Sequence, residues 1–91
     1  MGLKSTTVCL GYQQITSLSA STALTVPTGA TLAVIIPESQ AVRWRDDGTA
    51  PTGSVGMPLA IATTLSYDGD LSRIRFIEQA ASAKINVSYY A

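Results

Sequence analysis

Histidine is absent from the chain, and cysteine occurs once, as Cys9, among 91 residues. These absences exclude His/Cys metal clusters, Ser-His-Asp triads, Cys-His dyads and an internal disulfide framework. The acidic pairs Asp46-Asp47 and Asp68-x-Asp70 lack the spacing of a Ca²⁺ loop, and aspartate is a residue that turns favour. Because no nucleophile–base pair is available, we expect a protein without enzymatic activity, cofactor or metal site.

Charged residues are also scarce. They form 13% of the chain, against about 25% in a typical soluble domain, and six basic side chains balance six acidic ones. A dedicated nucleic-acid-binding protein needs a basic surplus, so nucleic acid is not an expected partner. No apolar run approaches the roughly 18 residues that span a membrane, and no secretory signal follows the start. We therefore expect synthesis in a reducing cytoplasm and no membrane partner.

The length supports one small β domain, residues 1–91, with residues 1–4 as a flexible start. A domain of this size buries only about 60–65% of its unfolded surface and is marginal alone. With 46% hydrophobic residues and so few charges, part of its surface is expected to be covered. The prediction is a homo-oligomer or assembly subunit, and the alternative is a weakly charged but ordinary monomer.

The hydrophobic pattern is that of short strands separated by turn residues, without an amphipathic helix. Alternation predicts strands at residues 5–12, 22–26, 31–36, 41–45, 59–67 (one strand or two), 71–78 and 83–90. Pro37 is predicted to end a strand. Residues 13–21 are predicted to be a connection, 49–58 a loop, and 78–83 the one place for a single helical turn. Seven to eight strands at this spacing predict an all-β fold, an antiparallel β-sandwich or a jelly-roll-like barrel.

The same alternation predicts which side chains share a face. One face each is assigned to Leu24 and Val26, to Val42 and Trp44, to Ile74 and Phe76, and to Ile85, Val87 and Tyr89. Residues 31–36 form the most apolar strand. It has apolar residues on both faces, so both faces are predicted to be covered.

All four arginines occur in two Arg-x-Arg pairs, Arg43 with Arg45 and Arg73 with Arg75. Residues two apart in a strand point the same way, so each pair forms a two-guanidinium stripe. One interpretation is a contact site for a partner, because the planar fork of arginine binds carboxylates with two bonds. Trp44 is then a candidate aromatic anchor. The alternative is that arginines and aspartates pair with each other across neighbouring strands, at about 0.2–1 kcal/mol per pair at the surface.

A longer pattern accompanies these pairs. Residues 42–52 read VRWRDDGTAPT and continue as GSVGM, and they are followed by YDGD at 67–70, RFI at 75–77 and NVSYY at 86–90. Upstream, residues 26–30 read VPTGA. Over residues 22–90 the sequence resembles small structural proteins encoded by tailed bacteriophages.

The resemblance implies a β-rich virion component attached to the head or tail, in contact with other virion proteins, as capsid decoration proteins are. It brings no catalytic residues. Together with the composition it predicts a phage-type virion structural protein that self-associates, is made in the bacterial host cytoplasm and ends in the virion. Its predicted partner-binding residues are Arg43, Arg45, Arg73, Arg75 and Trp44. The alternative is a carbohydrate- or receptor-binding β-sandwich module that uses Trp44 and tyrosine side chains.

Overall fold

Eight short strands make up the regular structure of the computed structural model, which describes residues 7–91. They are β1 (Cys9–Ile15), β2 (Thr22–Ala23), β3 (Leu32–Glu38), β4 (Val42–Arg45), β5 (Met57–Leu59), β6 (Leu65–Tyr67), β7 (Arg75–Glu78) and β8 (Lys84–Tyr90). Sheet A has the order β1-β8-β3-β6, and sheet B has the order β2-β7-β4-β5. All strand pairs are antiparallel. The predicted all-β sandwich is therefore confirmed, and the sheets do not close into the alternative barrel.

The core lies between the two sheets and is built by alternation. Ile85, Val87 and Tyr89 of β8 and Phe76 of β7 are buried, as is Ile74 just before β7. The buried residues form one cluster, against which Trp44 and Val26 also pack. The face predictions for these strands are confirmed, because each strand buries one face and residues two apart share it.

The chain changes sheets at nearly every connection. Only β4 and β5 are consecutive strands of the same sheet. Neighbouring strands are therefore distant in sequence, as for β1 and β8, which pair from Cys9 with Tyr90 to Ile15 with Ile85. Pairings this distant carry a large loop-closure cost, so we expect folding to be slow for a chain of this length.

Pro37 does not end its strand, contrary to the sequence prediction. The backbone N–H of Thr31 donates to the carbonyl of Tyr90, so the backbone polar groups of Tyr90 point toward β3. Every second residue of β8, counted from Tyr90, points its backbone N–H and C=O groups the same way. Their partners in β3, Leu32, Val34 and Ile36, direct their backbone N–H and C=O groups toward β8. The backbone of Pro37 faces the opposite side, the side of β6, at a position beyond the end of that strand. A proline is tolerated there because no paired strand lies on that side to accept a hydrogen bond from the N–H that proline lacks.

Strand β1 extends further along the chain than the strand predicted at residues 5–12, for a different reason. Residues 13–15, predicted as a connection, belong to β1. Gln13 points inward, where its Oε1 accepts from Tyr89 Oη at 2.7 Å and from Thr25 N at 3.2 Å. A half-buried Gln13, bonded to the buried Tyr89 and to the exposed Thr25, thus takes the place of the apolar residue that alternation requires. A bulge lies between Cys9 and Gly11, and the predicted strand residues 5 and 6 and the flexible start fall outside the described residues.

Three smaller corrections concern loops. Met57 and Pro58 of the predicted loop belong to β5, so residues 57–67 hold two short strands. The strands predicted at 22–26 and 71–78 are shorter, at Thr22–Ala23 and Arg75–Glu78. No helical turn forms at 78–83, where Ser82 takes a φ of 74° in a tight turn.

Within the described part of the chain, no helix is long and apolar enough to cross a membrane.

Candidate interaction surfaces

Three of the four predicted arginines share the outer face of sheet B. In the register of β4 and β7, Arg45 lies directly opposite Arg75, and Arg43 lies opposite Ile77. We call the surface formed by Arg43, Arg45 and Arg75 the arginine face. Like charges placed directly opposite each other on neighbouring strands repel.

The guanidinium of Arg43 donates hydrogen bonds to backbone carbonyls of its own chain. Its Nε donates to the Gly53 carbonyl at 3.2 Å and its Nη1 to the Gly56 carbonyl at 2.9 Å. Gly56 has a φ of 143°, and a Cβ there would lie 3.2 Å from the Arg43 Cβ, so the loop approaches this side chain closely. Arg43 therefore anchors the loop between β4 and β5.

Arg45 is neutralised by a neighbour on the same turn. Its Nε donates to Asp47 Oδ1 at 3.0 Å and its Nη2 to Asp47 Oδ2 at 2.5 Å, the one ion pair found within residues 7–91. The hydrogen bond from Arg45 lowers the pKa of Asp47 to about 2, and the same bond raises the pKa of Arg45. Arg45 therefore does pair with an aspartate, but within its own turn and not across neighbouring strands as the alternative interpretation expected.

Arg73 and Arg75 differ from the other two. Both are exposed, and neither guanidinium has a hydrogen bond or ion pair with any residue of 7–91. Arg73 lies over the turn at Gly48, where a Cβ would meet its Nη2 at 2.5 Å. Hydrogen bonds from Ser72, together with the charge of Arg73, lower the pKa of Asp70. Arg75 is thus an unpaired cation facing Arg45.

Trp44 lies on the opposite side of β4 from the arginines. It is opposite Phe76 and Met57 in the register, and its ring meets Tyr67 edge to face with centroids 6.0 Å apart. Tyr67 Oη donates to Asp46 Oδ2 at 2.6 Å, joining sheet A to the end of β4. Burial and this hydrogen bond raise the pKa of Tyr67 to about 12. The predicted arginine and tryptophan residues therefore do not form one surface.

The outer face of sheet A is the surface that the sequence did not identify as a site. Its rows run across β1, β8 and β3, for example Tyr12–Ser88–Val34 and Gln14–Asn86–Ile36. We call this the uncharged face, and it comprises Tyr12, Gln14, Leu32, Val34, Ile36, Asn86, Ser88 and Tyr90. Its nearest charges in the register are Glu38 and Lys84, which lie opposite each other at one end.

Two of its large hydrophobic side chains are exposed, Tyr12 at 64% and Ile36 at 36%. Polar groups of the face bond to one another: Asn86 Oδ1 accepts from Tyr12 Oη at 2.6 Å and from Gln14 Nε2 at 3.1 Å. Asn86 Nδ2 in turn donates to Glu38 Oε1 at 3.0 Å. The face is therefore apolar or already hydrogen-bonded over most of its width.

Two open clefts lie on the surface formed by residues 7–91. One, of about 240 Å³, lies beside the Arg45–Asp47 pair and is lined by the exposed Val55 and Met57. The other, of about 370 Å³, lies at the Asp68–Asp70 turn beside Val26 and Ala30. Among residues 7–91, no group of three or more His, Cys, Asp or Glu side chains is placed to hold a metal ion.

The chain matches no protein-family model, no curated protein and no solved structure. The class that the geometry defines is a β-sandwich with one uncharged outer face and one outer face that carries arginines. Any assignment of function rests on these surfaces and on the residue pattern of the sequence.

Proposed function

We propose that the protein is a phage-type virion structural protein that self-associates through the uncharged face and docks on the head or tail of the particle. The observation that carries the proposal is the uncharged face itself. It spans three strands of sheet A, exposes Tyr12 and Ile36, and has charges only at one end. Two copies can bring such faces together without charge repulsion.

The energetics of covering this face are favourable. Burial of the apolar side chains Leu32, Val34 and Ile36 removes area from water at roughly 25 cal/mol per Å². The polar groups of Tyr12 and Asn86 already bond to each other, so their burial leaves no partner missing. A second face of the same kind, packed about 10 Å away, is how sheets cover each other in sandwiches.

The arginine face supports the docking part of the proposal. Arg75 is exposed and unpaired within the described residues, and Arg45 beside it carries a carboxylate bidentately. A partner surface that offers carboxylates fits this arrangement, and charges at the edge of a contact set its register more than its affinity. The resemblance to phage structural proteins supports the same assignment. The carbohydrate-binding alternative has less support, because Trp44 packs inward.

Self-association is tested by multi-angle light scattering with the variants Ile36→Lys and Thr49→Lys. Each adds one positive charge, the first on the uncharged face and the second in the exposed loop after β4. At 100 µM the wild type and Thr49→Lys should have a mass above 9.5 kDa, and Ile36→Lys should shift toward the monomer. Circular dichroism checks that all three are folded. Equal association of the two variants would contradict the proposal.

The virion assignment is tested by the genes that flank this one. Capsid, portal or tail genes are expected alongside it. A gene flanked by enzymes of one metabolic route, without structural virion genes nearby, would contradict the virion assignment and leave the self-association result standing.

A further inference from the structure

The four sheet edges of the sandwich are unequal. Strands β2, β5 and β6 form three of the edges and have only two or three residues each, and β5 contains Pro58. The fourth edge, β1, has seven residues, CLGYQQI, with no charge and no proline. Charge, proline, short length and bulges are devices that keep edge strands from pairing with other chains. Strand β1 lacks the first three, and its bulge, between Cys9 and Gly11, lies upstream of Tyr12.

The register identifies which groups of β1 face outward. Val8 and Ala91 exchange both backbone hydrogen bonds, and Thr31 N–H bonds to the Tyr90 carbonyl on the other side of β8. By alternation, Tyr89, Val87 and Ile85 face β1 and bond to Gly11, Gln13 and Ile15. Tyr12 and Gln14 therefore direct their N–H and C=O groups away from the sheet.

Those outward groups have no partner in the part of the chain that the structure describes. No backbone hydrogen bond joins Tyr12 or Gln14 to a loop, and both residues are exposed. The nearest segment, at Pro27, packs beneath Gly11 on the inner side of the strand. Upstream, the bulge between Cys9 and Gly11 interrupts the edge, so the pairing segment is short and centred near Gln13.

This set of groups is complementary to itself. If a second copy approaches antiparallel with Gln13 opposite Gln13, Tyr12 of each copy faces Gln14 of the other. All four outward groups of each copy, two N–H and two C=O, then form hydrogen bonds. The uncharged faces of both copies also lie on the same side, because side chains directly opposite each other in a sheet share a face.

We propose that β1 pairs antiparallel with β1 of a second copy in a register centred on Gln13, which joins two copies of sheet A into one eight-stranded sheet. The inference rests on the proposed self-association and adds to its face-to-face contact a second contact, along the edge strand β1. It places two uncharged faces side by side as one continuous surface, and it pairs the one long edge that is free among residues 7–91.

Amide hydrogen exchange measured by NMR tests the proposal at 10 µM and at 1 mM. In the monomer, Gly11 and Gln13 should exchange slowly and Tyr12 and Gln14 quickly. At the higher concentration, exchange of Tyr12 and Gln14 should slow by about tenfold or more, as their amides enter a ladder. Unchanged fast exchange at Tyr12 and Gln14, under conditions where light scattering shows association, would overturn edge pairing and leave self-association intact. A monomer at every concentration would overturn both.

A proline at position 14 provides the second test. Gln14→Pro removes an outward N–H without breaking the β1–β8 ladder, and Gln14→Ala keeps that N–H and loses only the side-chain bond to Asn86. Association should weaken by about tenfold or more for Gln14→Pro and stay near the wild type for Gln14→Ala. Equal association of the two variants would overturn the proposed register.

Discussion

The contact between Tyr67 and Asp46 ties the two sheets together, and its loss should be measurable. Tyr67 lies in β6 of sheet A with 9% of its surface exposed, and its hydroxyl donates to Asp46 Oδ2 at 2.6 Å at the end of β4. A hydrogen bond to a charged group contributes about 1.5–3 kcal/mol. Tyr67→Phe keeps the ring contact with Trp44 and removes only this bond.

We expect Tyr67→Phe to lower the free energy of unfolding by about 2 kcal/mol, which corresponds to a fall in Tm of about 8–16 °C for a domain of this size. Circular dichroism melting measures it. Tyr12→Phe is the matched control, because it removes an exposed hydroxyl that also bonds to a side chain, and it should cost less than about 0.5 kcal/mol.

A pH series gives an independent reading of the same contact. The folded pKa of Tyr67 is raised from about 10 to about 12, chiefly by burial. The resulting stabilisation is complete below pH 10 and is lost as the pH rises to about 12. Tyr89, whose pKa burial also raises to about 12, contributes to the same alkaline loss. A Tyr67→Phe protein with the melting temperature of the wild type, and with an unchanged alkaline loss of stability, would refute this reasoning.

Four further changes have defined outcomes. Ala62→Gly should raise stability by about 1 kcal/mol in urea unfolding, because Ala62 has a φ of 63°. Ser21→Ala should also raise it by about 1 kcal/mol, since the buried Ser21 hydroxyl has no hydrogen-bond partner among residues 7–91. Arg43→Met should cost about 1–2 kcal/mol and speed amide exchange across residues 53–56, because Arg43 binds the carbonyls of Gly53 and Gly56 at the two ends of this segment. Stabilisation from Asp47 should be present above its unfolded pKa, 3.8, and disappear in acid melts as the pH falls toward 2.

Alternation was a sufficient guide where a strand buries one face only. In β8 the residues Ile85, Val87 and Tyr89 are buried and those between them are not, so the period of two is visible in the sequence. In β1 the inner position at Gln13 is polar, and its bonds come from Tyr89 and Thr25. No local pattern could reveal partners that lie 76 and 12 residues away along the chain.

The candidate surfaces were less predictable than the fold. The sequence analysis considered arginine–aspartate pairs across neighbouring strands, whereas Arg45 pairs with Asp47, two residues further along the same chain segment. Arg43 uses donors on carbonyls that lie 10 and 13 residues away, which the sequence alone does not connect. The uncharged face can be identified only when the order of β1, β8 and β3 in the sheet is known. That order depends on pairing between strands that are distant in the sequence. In the sequence, only the apolar residues on the outer side of β3 indicate part of the uncharged face.

Self-association is the proposal on which the assigned function depends. Sedimentation equilibrium of the wild-type protein between 1 and 500 µM measures it without any substitution. We expect a mass that rises above the 9.5 kDa of one chain as the concentration increases. A constant mass of one chain over the whole range would refute self-association.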